Sequence, residues 1–90
     1  MIAVRKPEGS VYQSLAAANP KAMVAKGMTE AYVGYSVSDK PVAVYDYETC
    51  VEIVMRENDM THADAVVYLV RHVIPDEPGP NLPIFVNTSR

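Results

Sequence analysis

The hydrophobic pattern from residue 31 to residue 45 predicts a β-hairpin. Apolar side chains alternate with small or polar ones over residues 31–37, which is typical of a strand with one buried face. The polar run at residues 38–40 is typical of a turn, and residues 41–45 return to a strand-like composition. A proline at position 41 fits the first residue of a strand, which need not donate to a ladder.

The period changes to that of a helix after Asp46, whose carboxylate is placed to cap the first turn. The apolar side of this helix is predicted to comprise Tyr47, Cys50, Val51, Val54 and Met55. Thr61 and Asp64 have the spacing of a second capping pair. The buried side of the helix that follows is predicted to comprise Ala63, Val66, Val67, Val70 and Val73. We therefore expect a helical hairpin.

The N-terminal third predicts a helical arm. Ser10 and Gln13 have capping-box spacing before a helix over residues 11–18. Asn19 followed by Pro20 predicts the start of a second helix, and Gly27 is suited to its end. At the other terminus, the prolines of residues 75–80 oppose regular structure, and residues 82–86 predict an edge strand.

These predictions combine into one small α+β domain of 90 residues. The expected element order is α-α-β-β-α-α-β, with a helical arm at 1–28 and a sheet plus helical hairpin at 29–90. The expected sheet has three antiparallel strands and carries the helical hairpin on one face.

Composition opposes several classes of function. The net charge is −3 with both signs interspersed, which argues against direct nucleic-acid binding. One cysteine and two histidines do not supply the usual ligands of a zinc site, and no cofactor-binding motif occurs. The sequence has no apolar run long enough to cross a membrane and no signal-peptide pattern at its start. We expect a cytoplasmic protein without metal or cofactor.

Carboxylates at the start of the first hairpin helix suggest one catalytic alternative. Asp46, Glu48 and Glu52 could support general acid–base chemistry if burial separated their pKa values. Acidic residues in a first helical turn also complement the helix dipole, and we favour this structural role. Cys50 lies on the apolar side of the helix and is expected in the core. We therefore expect no enzymatic activity.

The strand pattern also predicts a face rich in aromatic rings. The residues expected to point toward the helices are Val33, Tyr35, Val37, Val42, Val44, Leu82, Ile84 and Val86. Alternation then places Tyr32, Tyr45 and Phe85 on the opposite face, with a composition favoured in interface cores. Either a partner covers this face, whether a foreign protein or a second copy, or the arm over residues 10–26 folds across it. Asp76 and Glu77, in the proline-rich loop, are further candidates for partner contact.

A resemblance adds a functional expectation. Residues 41–47, Cys50 with Glu52, residues 60–65 and residues 83–86 resemble small uncharacterised proteins of bacterial and phage genomes. The resemblance implies a context, because small phage and mobile-element proteins often bind and block a host protein, including components of bacterial defence systems. An anti-CRISPR-type inhibitor is one example of that context. We predict a non-enzymatic protein-binding module. The alternatives are a small transcriptional regulator or nucleic-acid-associated protein, and a small carboxylate-dependent enzyme.

Overall fold

The computed structural model describes residues 4–77 and 79–88. Two short 3-10 helices, Ser10–Tyr12 and Thr29–Ala31, accompany the regular elements. Those elements, among the described residues, are β1 (Val4–Arg5), α1 (Gln13–Ala18), β2 (Val24–Ala25), β3 (Tyr32–Tyr35), β4 (Ala43–Asp46), α2 (Tyr47–Asn58), α3 (His62–His72) and β5 (Ile84–Val86). The α+β class is therefore confirmed.

Strand β4 is the centre of a three-stranded sheet with the order β3-β4-β5. The predicted hairpin is confirmed, because β3 and β4 pair antiparallel. The prediction of a wholly antiparallel sheet is wrong, since β5 pairs parallel to β4, with Val44 opposite Ile84. The physical reason is the connection: the chain leaves the end of β4 through α2 and α3, and residues 73–83 carry it back to the beginning of β4.

The arm differs from its prediction in its second half. Its first helix forms as a 3-10 turn that runs into α1, although no side chain caps either start. The second predicted helix is replaced by β2, which pairs antiparallel with β1. Asn19 explains the difference, because its amide group donates to the carbonyl of Pro41 at 2.9 Å and fixes the chain against the hairpin. The arm therefore ends in a small sheet of its own.

The helical hairpin forms as predicted. Asp46 caps α2 by accepting from the backbone N–H of Thr49, and Thr61 caps α3 by accepting from that of Asp64. Asp59 ends α2 with a left-handed backbone, φ 52°. Among residues 4–77 and 79–88, no helix is both long enough and apolar enough to cross a membrane.

One continuous core joins the arm, the sheet and both hairpin helices. Helix α2 contributes the predicted side, with Ile53 in addition. Helix α3 buries Ala65 and Leu69, and Val73 is buried directly after it. The predicted side of α3 is therefore confirmed at Val73 and wrong at Val67 and Val70, which are about half-exposed. Leu69 explains which side of α3 faces the core, because it is the longest aliphatic side chain of α3 and its burial removes more apolar area from water than that of a valine.

Candidate functional site

A bulge in β3 decides which residues share each face of the central sheet. Tyr32 pairs with Tyr45, but the next pair is Gly34 with Val44, which leaves Val33 as an extra residue. Gly34 has φ 147°, a backbone conformation that side-chain-bearing residues rarely adopt. The strict alternation assumed over residues 31–37 is therefore interrupted at Gly34.

The three predicted aromatic residues do share one face, which we call the core sheet face (Tyr32, Tyr45 and Phe85). Tyr45 lies between the other two, with its ring centroid 5.7 Å from that of Tyr32 and 5.4 Å from that of Phe85. Tyr12 of the arm adds a fourth ring, 4.6 Å from Tyr32. The rings form a continuous row through the interior, in the edge-on and stacked arrangements that aromatic pairs prefer.

The arm covers the part of this face formed by Tyr32 and Tyr45, which Tyr12 and Ala25 contact. Tyr45 is 0% exposed, and Tyr32 and Phe85 are half-buried against the core. The expectation that all three rings stand open to a partner is therefore wrong, and the alternative in which the arm folds across them is the one observed. Aromatic rings bury more apolar area than valines, which favours this orientation of the sheet.

A pair of buried hydroxyl groups fixes the arm to the sheet. The hydroxyl of Tyr45 lies 2.9 Å from that of Tyr12 and also accepts from the backbone N–H of Ala25 at 3.0 Å. Burial, followed by the hydrogen bond with Tyr12, raises the pKa of Tyr45 well above its ordinary value, so the hydroxyl remains protonated. The sequence analysis did not identify Tyr12, although the hydroxyl group of a buried tyrosine needs a hydrogen-bond partner.

The opposite side of the sheet, which we call the outer sheet face (Gly34, Val44, Ile84 and Val86), is apolar. Val44 pairs with both Gly34 and Ile84, so these three residues lie side by side across the three strands. Ile84 is 37% exposed, and Val44 and Val86 are half-buried. An apolar sheet face that remains accessible is a common form of contact surface.

Most residues predicted to point into the core instead contact solvent. The exposed ones are Val33, Tyr35, Val37 and Ile84, and the half-buried ones are Val42, Val44, Leu82 and Val86. Val33 is 52% exposed beside the bulge, and Val37 lies fully exposed in the hairpin turn. These positions extend the accessible apolar area from the outer sheet face toward the tip of the hairpin.

A shallow groove lies between β5 and the segment that follows α3. It has a volume of about 190 Å³ and is lined by Ile74, Pro75, Pro83, Ile84 and Phe85. Asp76 and Glu77 follow directly in the chain and are exposed, as a role in partner contact would require. Pro78, in the same predicted loop, lies outside the described residues.

The carboxylate of Asp46 has a structural role. It accepts from the side chain and backbone N–H of Thr49, and from the hydroxyl of Thr88 at 2.9 Å. The hydrogen bonds from the side chains of Thr49 and Thr88 lower its pKa, whereas a general acid needs a raised one. Glu48 lies beside it on an exposed surface and is 3.7 Å from His62. The group therefore stabilises the start of α2 and the end of β5.

Cys50 is a core residue, as predicted. It is 0% exposed, and burial, with a smaller contribution from the charge of Asp46, raises the pKa of its thiol to about 12. A thiol in this state is a poor nucleophile at neutral pH. In the described part of the chain, no three His, Cys, Asp or Glu residues are grouped so that they could hold a metal ion.

No family model, curated protein or solved structure matches this chain. Function is therefore inferred from the residues themselves. The outer sheet face differs from the core sheet face in a property that matters for recognition: it includes an exposed apolar side chain, Ile84, whereas Tyr45 at the centre of the core sheet face is fully buried.

Proposed function

We propose that this protein is a non-enzymatic protein-binding module that contacts a foreign protein through the outer sheet face. The observation that carries the proposal is the exposure of apolar side chains on the outer sheet face and on the adjoining bulge, with Ile84 at 37% and the bulge residue Val33 at 52%. Strands β3, β4 and β5 present these side chains on one scaffold, and a rigid scaffold lowers the entropy cost of binding.

The surroundings of the potentially reactive side chains support a role in binding. Asp46 is engaged as a helix cap, and Cys50 is enclosed in the core. Binding requires only complementary shape and a dehydrated apolar centre, and β-branched side chains on a sheet supply both without a large loss of rotamer freedom.

The more specific form of the proposal concerns the partner. Resemblance to small bacterial and phage proteins supports an inhibitor of a host protein or of a bacterial defence complex, acting in the cytoplasm. A host surface with its own apolar groove would fit the outer sheet face. Exposed Asp76 and Glu77 lie at the edge of this surface and would favour a basic rim on the partner.

A capture experiment with matched variants tests the proposal. Tagged wild-type protein, Ile84→Glu, Val33→Glu and Val11→Glu are each incubated with bacterial lysate, with and without nuclease. Val11 is the matched control, because it is 48% exposed but lies on the 3-10 helix of the arm. A protein that wild type and Val11→Glu capture after nuclease treatment should be lost from Ile84→Glu and Val33→Glu, since a buried unpaired charge opposes association.

The captured protein is then purified, and its complex with wild type is weighed by light scattering. A complex that forms with wild type and not with Ile84→Glu supports the proposal. Three outcomes contradict it: capture that nuclease abolishes, capture that all three variants retain, and a chain that forms only homodimers through this face.

A further inference from the structure

A second surface, chemically unlike the apolar outer sheet face, has two lysines in its lining. Lys21 follows α1 in the arm, and Lys40 belongs to the turn of the β3–β4 hairpin. Both line a cleft of about 460 Å³, a volume within the range of small-molecule sites. The residues around the cleft are Asn19, Pro20, Lys21, Lys40, Pro80 and Asn81.

Buried Asn19 holds the base of this cleft together. Its side-chain amide donates to the carbonyl of Pro41 at 2.9 Å and to the side-chain oxygen of Asn81 at 3.1 Å. Its own oxygen accepts from the backbone N–H of Lys21 at 3.2 Å, and the carbonyl of Asn81 accepts from the N–H of Met23 at 2.8 Å. Three loops distant in sequence are thereby fixed to one another, which prepares a site before any ligand arrives.

These hydrogen bonds also determine the orientation of Asn81. The carbonyl of Pro41 only accepts, so the Nδ2 group of Asn19 must face it and donate. The same Nδ2 group donates to Asn81, which leaves the Nδ2 group of Asn81 as a donor. In the described part of the chain that group makes no hydrogen bond to protein, and it is accessible to solvent.

The charges of the lining have one sign. Lys21 and Lys40 are exposed, and in the described part of the chain neither forms an ion pair. No acidic residue lines the cleft, and neighbouring Asp39 is exposed outside it. Pro20 and Pro80 add apolar walls, as do the methylene stems of the lysines. The site thus combines hydrogen-bond donors and positive charge with apolar surface.

We propose that this cleft binds a small organic anion, with its carboxylate or phosphate group at Lys21 and Lys40 and its apolar body between Pro20 and Pro80. The donors are all of the kind that oxyanions accept from, and charged donors make the stronger hydrogen bonds. The cleft is separate from the outer sheet face, so the two proposals succeed or fail independently.

Amide NMR of the full chain tests the proposal with defined probes. Benzoate and phenyl phosphate present a carboxylate or a phosphate on the same ring, and benzyl alcohol is the neutral match. Saturable shifts confined to the amides of residues 19, 21–23, 40, 79, 81 and 82 are expected with at least one of the anions at near-physiological salt. The response to one anion or to both identifies which group the cleft accepts.

Paired variants make the test specific. Lys21→Gln combined with Lys40→Gln should weaken anion binding at least about tenfold, because both charge-assisted contacts are lost. Lys6→Gln combined with Lys26→Gln removes two exposed arm lysines that do not line the cleft and should leave affinity unchanged. The proposal is overturned if neither anion gives saturable shifts, if benzyl alcohol binds as tightly as the anions, or if the cleft variant binds as tightly as wild type. Dispersed spectra of both variants establish that they fold.

Discussion

The two faces of the central sheet are alike in hydrophobicity, but Tyr45 on the core sheet face is fully buried and Ile84 on the outer sheet face is exposed. On the core sheet face the hydroxyl group of Tyr45 finds partners in the arm, whereas Val44, Ile84 and Val86 of the outer sheet face have no polar side-chain group to satisfy. Tyr45 is 0% exposed and Ile84 is 37% exposed, although they occupy adjacent strands. The comparison shows that alternation separates the two faces of a strand, while the larger apolar side chains decide which face lies inward.

The first test of this difference removes one large side chain from each face of the central sheet. Tyr45→Ala deletes ring contacts to Tyr32 and Phe85 and leaves the N–H of Ala25 without its acceptor. It should cost about 3–5 kcal/mol, a large part of the stability of a small domain. Ile84→Ala on the outer face should cost about 1 kcal/mol, because the site is partly solvated.

Urea unfolding followed by circular dichroism measures both losses. If the Tyr45→Ala variant is too unstable to purify, Tyr45→Leu retains an apolar side chain and should still lose more stability than Ile84→Ala. Equal losses at the two positions would show that the faces do not differ in burial, and the distinction drawn between them would be wrong.

A smaller change separates the hydroxyl groups from the rings. Tyr12→Phe removes one member of the 2.9 Å hydroxyl pair while Tyr45 keeps its bond from Ala25, and should cost about 1 kcal/mol. Tyr45→Phe should cost about 1–3 kcal/mol, because the buried N–H of Ala25 then loses its acceptor.

The double variant reports whether the hydroxyl groups act together. A coupling free energy of about 0.5–1.5 kcal/mol is expected from urea unfolding of the four proteins in the cycle. Losses that simply add would mean that the two hydroxyl groups contribute separately, and that ring packing alone attaches the arm.

The sequence predicted those features that depend on local signals. The helix caps at Asp46 and Thr61 follow from side chains that bond the backbone three residues away, and both occur. The hairpin and the burial of Cys50 follow from local pattern in the same way. Such features require no knowledge of distant contacts.

The wrong predictions depend on contacts between residues far apart in the chain. The bulge at Gly34 changes the pairing of one strand, and the alternation of the sequence gives no sign of it. Tyr12 must approach Tyr45 across 33 positions before the aromatic face is buried. The cleft likewise depends on Asn19 meeting Asn81, 62 positions away. Local periodicity therefore identified that the sheet has two different faces without determining which one is inside.

The smallest expected effect concerns the carboxylate of Asp46, which links the end of β4 to Thr88 after β5. Asp46 ends β4 and accepts from Thr49 and Thr88, which lowers its pKa below the ordinary value. A group whose pKa is lowered by folding contributes stability that is present above its unfolded pKa and lost as the pH falls through the folded one. Wild type should therefore lose this contribution below about pH 4.

Asp46→Asn isolates that contribution, because asparagine also caps helices but does not titrate. The difference in urea midpoint between wild type and variant should be greatest near neutral pH and should shrink as the solution becomes acidic. Thr88→Val should reduce the same difference, since it removes one of the bonds that lower the pKa. Burial raises the pKa of Tyr45, so its hydroxyl stays protonated as the solution becomes acidic, and Tyr12→Phe should shift the midpoint equally across the same pH series. A different response to acid in Tyr12→Phe and in wild type would mean that a titrating group is coupled to this contact. That result would contradict the structure, in which the contact joins two hydroxyl groups.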